Sequence, residues 1–81
     1  MTPAQCRAAR ALLGLEQGDV ADRAGIARAT LINYEKGQRA PRAATIAAIC
    51  TALEAAGVVF LPENGNGPGV ALRKQMTNPR T

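Results

Sequence analysis

One segment, Gln17-Gly18-Asp19-Val20-Ala21-Asp22-Arg23-Ala24-Gly25-Ile26-Ala27-Arg28-Ala29-Thr30-Leu31-Ile32-Asn33-Tyr34-Glu35-Lys36-Gly37, leaves little freedom in how the chain folds, because it carries two short helical patterns with a glycine between them. Val20, Ala21 and Ala24 fall on one face of a helix over residues 16–24, and Leu31 and Tyr34 share a face of a second helix over residues 27–35. Gly25 stands where the first of these must end, at a position where a left-handed residue turns the chain without a Cβ penalty. Two helices joined this closely cross steeply, so Ala21 has to be small for their backbones to approach. Ile26 plugs the corner. Leu31 and Tyr34 anchor the second helix, which leaves Arg28, Ala29, Ile32 and Asn33 on its outer side, with Ile32 expected to be exposed.

Helical patterns flank this unit on both sides. Thr2-Pro3-Ala4-Gln5 has the form of a capping box with proline at the first helical position. The helix it opens carries Cys6, Ala9, Leu12 and Leu13 at helical spacing and stops at Gly14. Lys36 to Arg42 is a basic loop, whose Pro41 is expected to open a further helix with the stripe Ile46, Ile49, Cys50 and Leu53, ending at Gly57. The character then changes: Val58-Val59-Phe60-Leu61 and Val70-Ala71-Leu72-Arg73 read as strands around a Gly/Asn/Pro loop. The chain is thus expected to be mainly α, with four helices in residues 1–57, a C-terminal β-hairpin in 58–73 and a loose tail in 74–81. Arg73, Lys74 and Arg80 read as solvated charges.

The spacing of the first segment resembles the lambda-repressor-like (XRE/Cro-type) helix-turn-helix family, on Gln17, Val20-Ala21, Gly25-Ile26, Leu31 and Glu35-Lys36-Gly37. The flanking helices extend the resemblance over about residues 2–56. It implies a DNA-binding fold whose second and third helices form the motif and whose third helix enters the major groove. Carried over residue by residue, it makes Arg28, Ala29, Ile32 and Asn33 the base-facing set, with Thr30 at its margin. Arg28 suits a bidentate contact with guanine and Asn33 one with adenine, while Ala29 and Ile32 suit thymine methyls. Gln17 would bond a phosphate at the start of the second helix, and Lys36, Arg39 and Arg42 are further phosphate candidates. The resemblance also pairs Arg10 with Glu35 as a partly buried salt bridge. The chain departs from the family pattern at Glu16 and Ala27, where Ser or Thr usually opens the helix, and at Gly18, which replaces a good helix former. Each departure weakens its helix by roughly 0.5–1 kcal/mol.

Composition narrows the function classes. Eighty-one residues make one small core, which is commonly assisted by an oligomer, a disulfide or a metal. With no His and two Cys, no zinc ligand set can be assembled. Cys6 and Cys50 sit in apolar helical registers, so buried thiols are favoured over a disulfide. Ten Lys and Arg against six Asp and Glu give a net charge of +4, a balance suited to a polyanion. The sequence has no run long and apolar enough to span a bilayer and no signal-peptide pattern, so a cytoplasmic location is expected. No nucleophile elbow, Gly-rich phosphate loop or metal motif is present, and the protein is not expected to be an enzyme or to carry a cofactor.

The expected partner is double-stranded DNA, bound by a homodimer on a palindromic operator as a transcriptional repressor. A protein-binding antitoxin or antiactivator on the same fold, acting on a regulatory protein partner, and a coater of nucleic acid without sequence preference are the alternatives. The apolar run Val58 to Leu61 needs covering. It can pair with the same segment of a second protomer, or fold back on the fourth helix of its own chain.

Overall fold

The computed structural model describes residues 1–73; the loose tail expected over residues 74–81 lies outside them. Four helices, α1 (Pro3–Leu13), α2 (Gln17–Ala24), α3 (Arg28–Glu35) and α4 (Ala43–Ala56), precede an antiparallel hairpin of β1 (Val58–Leu61) and β2 (Gly69–Leu72). The fold is mainly helical, as the patterns indicate.

Capping chemistry sets the starts. The Thr2 N–H donates to Gln5 Oε1 at 2.8 Å and the Gln5 N–H to Thr2 Oγ1 at 3.1 Å, which closes the capping box of α1. Gln5 does more than cap. Its side chain is buried, and its Nε2 donates to the Gly69 carbonyl at 2.7 Å, so the residue that opens α1 also holds β2. At α2 the Glu16 N–H donates to Asp19 Oδ2 at 3.1 Å, making Glu16 the cap rather than the first helical residue. Ala27 offers α3 no side-chain acceptor.

Gly25 has φ 70°, and the Ile26 N–H reaches back to the Ala21 carbonyl at 3.0 Å, so the turn between α2 and α3 is closed by backbone bonds that only a left-handed residue permits at low strain. Pro41 does not open α4. Thr45 and Ile46 donate to the Arg42 carbonyl at 2.9 and 3.1 Å, so the first helical acceptor belongs to Arg42, which has extended backbone with ψ 154° and serves as the cap.

The core joins Cys6 and Ala9 of α1, Val20 and Ala21 of α2, Leu31 and Tyr34 of α3, Ile49 and Leu53 of α4, and Val58 of β1. Leu13, Ile26, Ile46, Phe60 and Val70 pack around it half-buried. Leu12 was expected inside but is 43% exposed. Cys6, Ala9 and Leu13 follow the i, i+3, i+7 line on one face, and Leu12 lies a further 100° or so around the helix.

In the hairpin Val58 pairs with Leu72 and Leu61 with Gly69, so β2 begins and ends one residue before the expected Val70–Arg73. Both strands pack on α1 and β1 also packs on α4, so the hairpin does fold back on its own chain, more broadly than on α4 alone. Arg73 is not merely solvated: its N–H donates to the Gly57 carbonyl at 2.7 Å and its Nη2 to the Glu54 carbonyl at 2.6 Å, at the C-terminal end of α4, where a cation is favoured. Val59 and Leu61, which alternate along β1 with buried Val58 and half-buried Phe60, stay 40% and 44% exposed. No helix among the described residues is long and apolar enough to cross a membrane.

Candidate nucleic-acid interface

The site begins with a buried carboxylate. Glu35, the last residue of α3, is 2% exposed, and its two oxygens accept bonds from two other helices. Arg10 of α1 approaches it with two donors, Nε to Oε2 at 2.7 Å and Nη2 to Oε1 at 2.8 Å, a bidentate fork. Gln17 of α2 adds Nε2 to Oε1 at 3.1 Å, and the Cys6 thiol donates to Oε2 at 3.2 Å. Arg10 also donates to the Leu15 carbonyl at 3.2 Å, and Arg7 donates to the Glu35 carbonyl at the C-terminal end of α3. One side chain therefore fixes the mutual orientation of α1, α2 and α3.

The titration of this cluster follows from its contacts. Burial, the largest single influence, disfavours the Glu35 charge, but the bonds from Arg10, Cys6 and Gln17 together outweigh it and hold the carboxyl below its ordinary range. The Arg10 guanidinium is held more firmly protonated by its bond to Glu35. Burial first, and the neighbouring Glu35 second, push the Cys6 thiol up to about 12.

The signs of the linkage are opposite. Glu35, depressed in the fold, contributes stability that is complete above its unfolded value of about 4.3 and is lost as pH falls through the folded value. Cys6, raised in the fold, contributes stability that is complete below its ordinary value and is lost as pH rises toward about 12. At pH 8, iodoacetamide should therefore label half-buried Cys50 first and reach Cys6 only on global unfolding, read by mass spectrometry with and without denaturant. Equal native labelling of the two thiols would contradict the burial of Cys6.

Held in this way, α3 turns Leu31 and Tyr34 inward and leaves Arg28, Ala29 and Asn33 exposed. Thr30 and Ile32 are half-buried, so Ile32 is less exposed than expected; it lies between the outer and inner faces of α3. Lys36, Arg39 and Arg42 are exposed in the segment that follows. Thr30 and Asn33 share an open groove with Arg39, Ala40, Pro41 and Arg42, which brings the outer face of α3 beside two of the loop cations. The side chain of Gln17 is directed inward to Glu35. What Gln17 offers outward is the start of α2, whose first N–H groups have no intrahelical acceptor.

A helix-turn-helix family model matches residues 7–56, more than half of the chain, from within α1 to the end of α4. The chain belongs to the lambda-repressor-like helix-turn-helix family. It is in consequence a DNA-binding transcription regulator, and this family of DNA-binding regulatory domains is not an enzymatic one. No curated protein matches the chain.

Two residues beyond the expected site contribute to it. Cys6 precedes Arg10 by four residues on α1 and so faces the same carboxylate, a spacing that held the information. Gly18 is by helix propensity only a weak point of α2, yet the Arg28 guanidinium lies against it.

Proposed function

We propose that this helix-turn-helix protein is a cytoplasmic transcriptional repressor that binds a two-fold symmetric operator as a homodimer. Arg28, Ala29, Thr30, Ile32 and Asn33 face the bases, and Lys36, Arg39, Arg42 and the Gln17 end of α2 face the phosphates. The observation that carries this reading is the division of α3, with Leu31, Tyr34 and Glu35 buried on one side and Arg28, Ala29 and Asn33 open on the other, beside the basic loop. A helix of eight residues is too short to stand alone. Fixed by a buried ion pair, it presents a rigid polar face of the kind that reads a major groove.

A module of this size makes few base contacts, so pairing on half-sites about 10 bp or a multiple apart supplies specificity, and occupation of the site supplies repression. The second protomer is offered the hairpin, whose outward Val59 and Leu61 are apolar and whose two-stranded sheet has open edges. Because Val58 lies in the core, removing the hairpin would damage the fold, and a surface charge is the cleaner probe.

Selection of bound sequences from a random duplex library should return a palindrome with wild-type protein and a single half-site, bound far more weakly, with Leu61→Lys. Sedimentation should show a dimer and a monomer respectively. A wild-type chain that enriches no sequence would overturn the reading, and one that enriches an asymmetric motif as a monomer would overturn the dimer.

A further inference from the structure

We infer that Gly18 is a specificity-determining residue: by carrying no side chain, it leaves open the strip of α2 on which the Arg28 guanidinium lies, and so sets the direction from which that group meets a base edge. The inference rests on the base-reading role proposed for Arg28. Arg28 opens α3, and its side chain folds back across the turn onto the first turn of α2. A Cβ on residue 18 would stand 2.9 Å from Arg28 Cζ and 3.1 Å from Nε, with Nη2 nearer still. Heavy atoms do not approach a Cβ so closely, so any other residue at 18 makes the guanidinium, the far end of a flexible side chain, shift from its seat on α2.

The backbone gives no reason for glycine at this place. Gly18 is not among the glycines with positive φ, and within a helix glycine is a poor choice beside alanine. Space is the remaining reason. Among the described residues no hydrogen bond or ion pair fixes the guanidinium, so its packing on Gly18 is what orients it. Orientation matters because arginine reads guanine through a planar fork whose two donors must meet O6 and N7 together. A guanidinium lifted over a methyl group arrives at a different height and tilt, and one that swings free loses more side-chain entropy on binding.

The test is a double-mutant cycle on Gly18→Ala and Arg28→Ala, with affinities measured on the selected operator and on duplexes altered one base pair at a time. Thermal midpoints confirm folding, and Gly18→Ala should match or exceed wild type because alanine is the better helix former. Gly18→Ala should reduce discrimination about tenfold at the base pair identified by Arg28→Ala and leave the other positions unchanged. In the Arg28→Ala background it should change nothing at that base pair. Unchanged discrimination in Gly18→Ala would overturn the inference while leaving the DNA-reading function intact. So would an equal loss in both backgrounds, which would mean that residue 18 acts on the DNA backbone directly. A wild-type chain that selects no sequence would overturn the function and this inference together.

Discussion

Arg10→Met is expected to destabilise the domain by about 3–5 kcal/mol, because it leaves a buried carboxylate without its cation. Glu35 is 2% exposed and Arg10 is 21% exposed, and the two residues are therefore not equivalent when separated. Deprived of Arg10, Glu35 keeps only the weaker donors Gln17 and Cys6 and must either hold an uncompensated charge or take up a proton. Deprived of Glu35, Arg10 can turn part of its guanidinium to water. Glu35→Gln should consequently cost less than Arg10→Met. For a domain of this size, about 4–8 °C of thermal midpoint accompanies each kcal/mol, so the Arg10 variant should melt more than about 12 °C below wild type. Urea midpoints of the two single variants and of Arg10→Met/Glu35→Leu decide the matter, the double variant recovering part of the loss because both charges are gone. A midpoint for Arg10→Met close to that of wild type would mean that the ion pair holds nothing.

The second large effect separates base readers from phosphate binders. Arg28→Ala or Asn33→Ala should cost about 1–3 kcal/mol on the operator and little on scrambled duplex, because a lost base contact removes discrimination and leaves the backbone contacts in place. Lys36→Ala or Arg39→Ala should weaken both duplexes alike and lower the slope of log K against log salt by about one unit each. The groove shared by Asn33 and Arg39 makes the comparison sharp, since neighbouring side chains are expected to fail in different ways. Titrations of both duplexes at several salt concentrations provide it. Equal weakening of both duplexes by Arg28→Ala and Asn33→Ala would mean that the outer face of α3 does not read bases.

Local rules make most of the helical fold legible in the sequence. The capping box at Thr2, the glycine at 25 and the apolar spacing of Leu31 and Tyr34 each act within a few residues, and each is found where its pattern indicates. What escaped depends on distant partners or on a small rotation about a helix axis. Leu12 and Leu13 are both apolar, and only the packing partners of α1 decide which of them turns inward. Arg73 has the composition of a tail, and only the docking of β2 brings it to the end of α4. Pro41 satisfied the rule for a first helical residue, but the acceptor that begins the ladder belongs to Arg42. The outer face of α3 was readable from spacing, whereas the seat of Arg28 on Gly18 was not, because a glycine written in a sequence does not say what fills the space it leaves.

The bond from Gln5 to Gly69 spans 64 residues, while the fork between Arg10 and Glu35 spans 25. Closing the longer loop costs the unfolded chain about 0.8 kcal/mol more entropy, by the logarithmic dependence of closure on length. The order in which that entropy is surrendered favours assembly of the three helices around Glu35 first, with the hairpin docking afterwards on a platform already built. On that order the part that docks last is also the part that carries the outward apolar residues, so while the chain matures its sticky edge comes into being only after the three helices have met around Glu35, which shortens the time in which unfinished copies can tangle with one another.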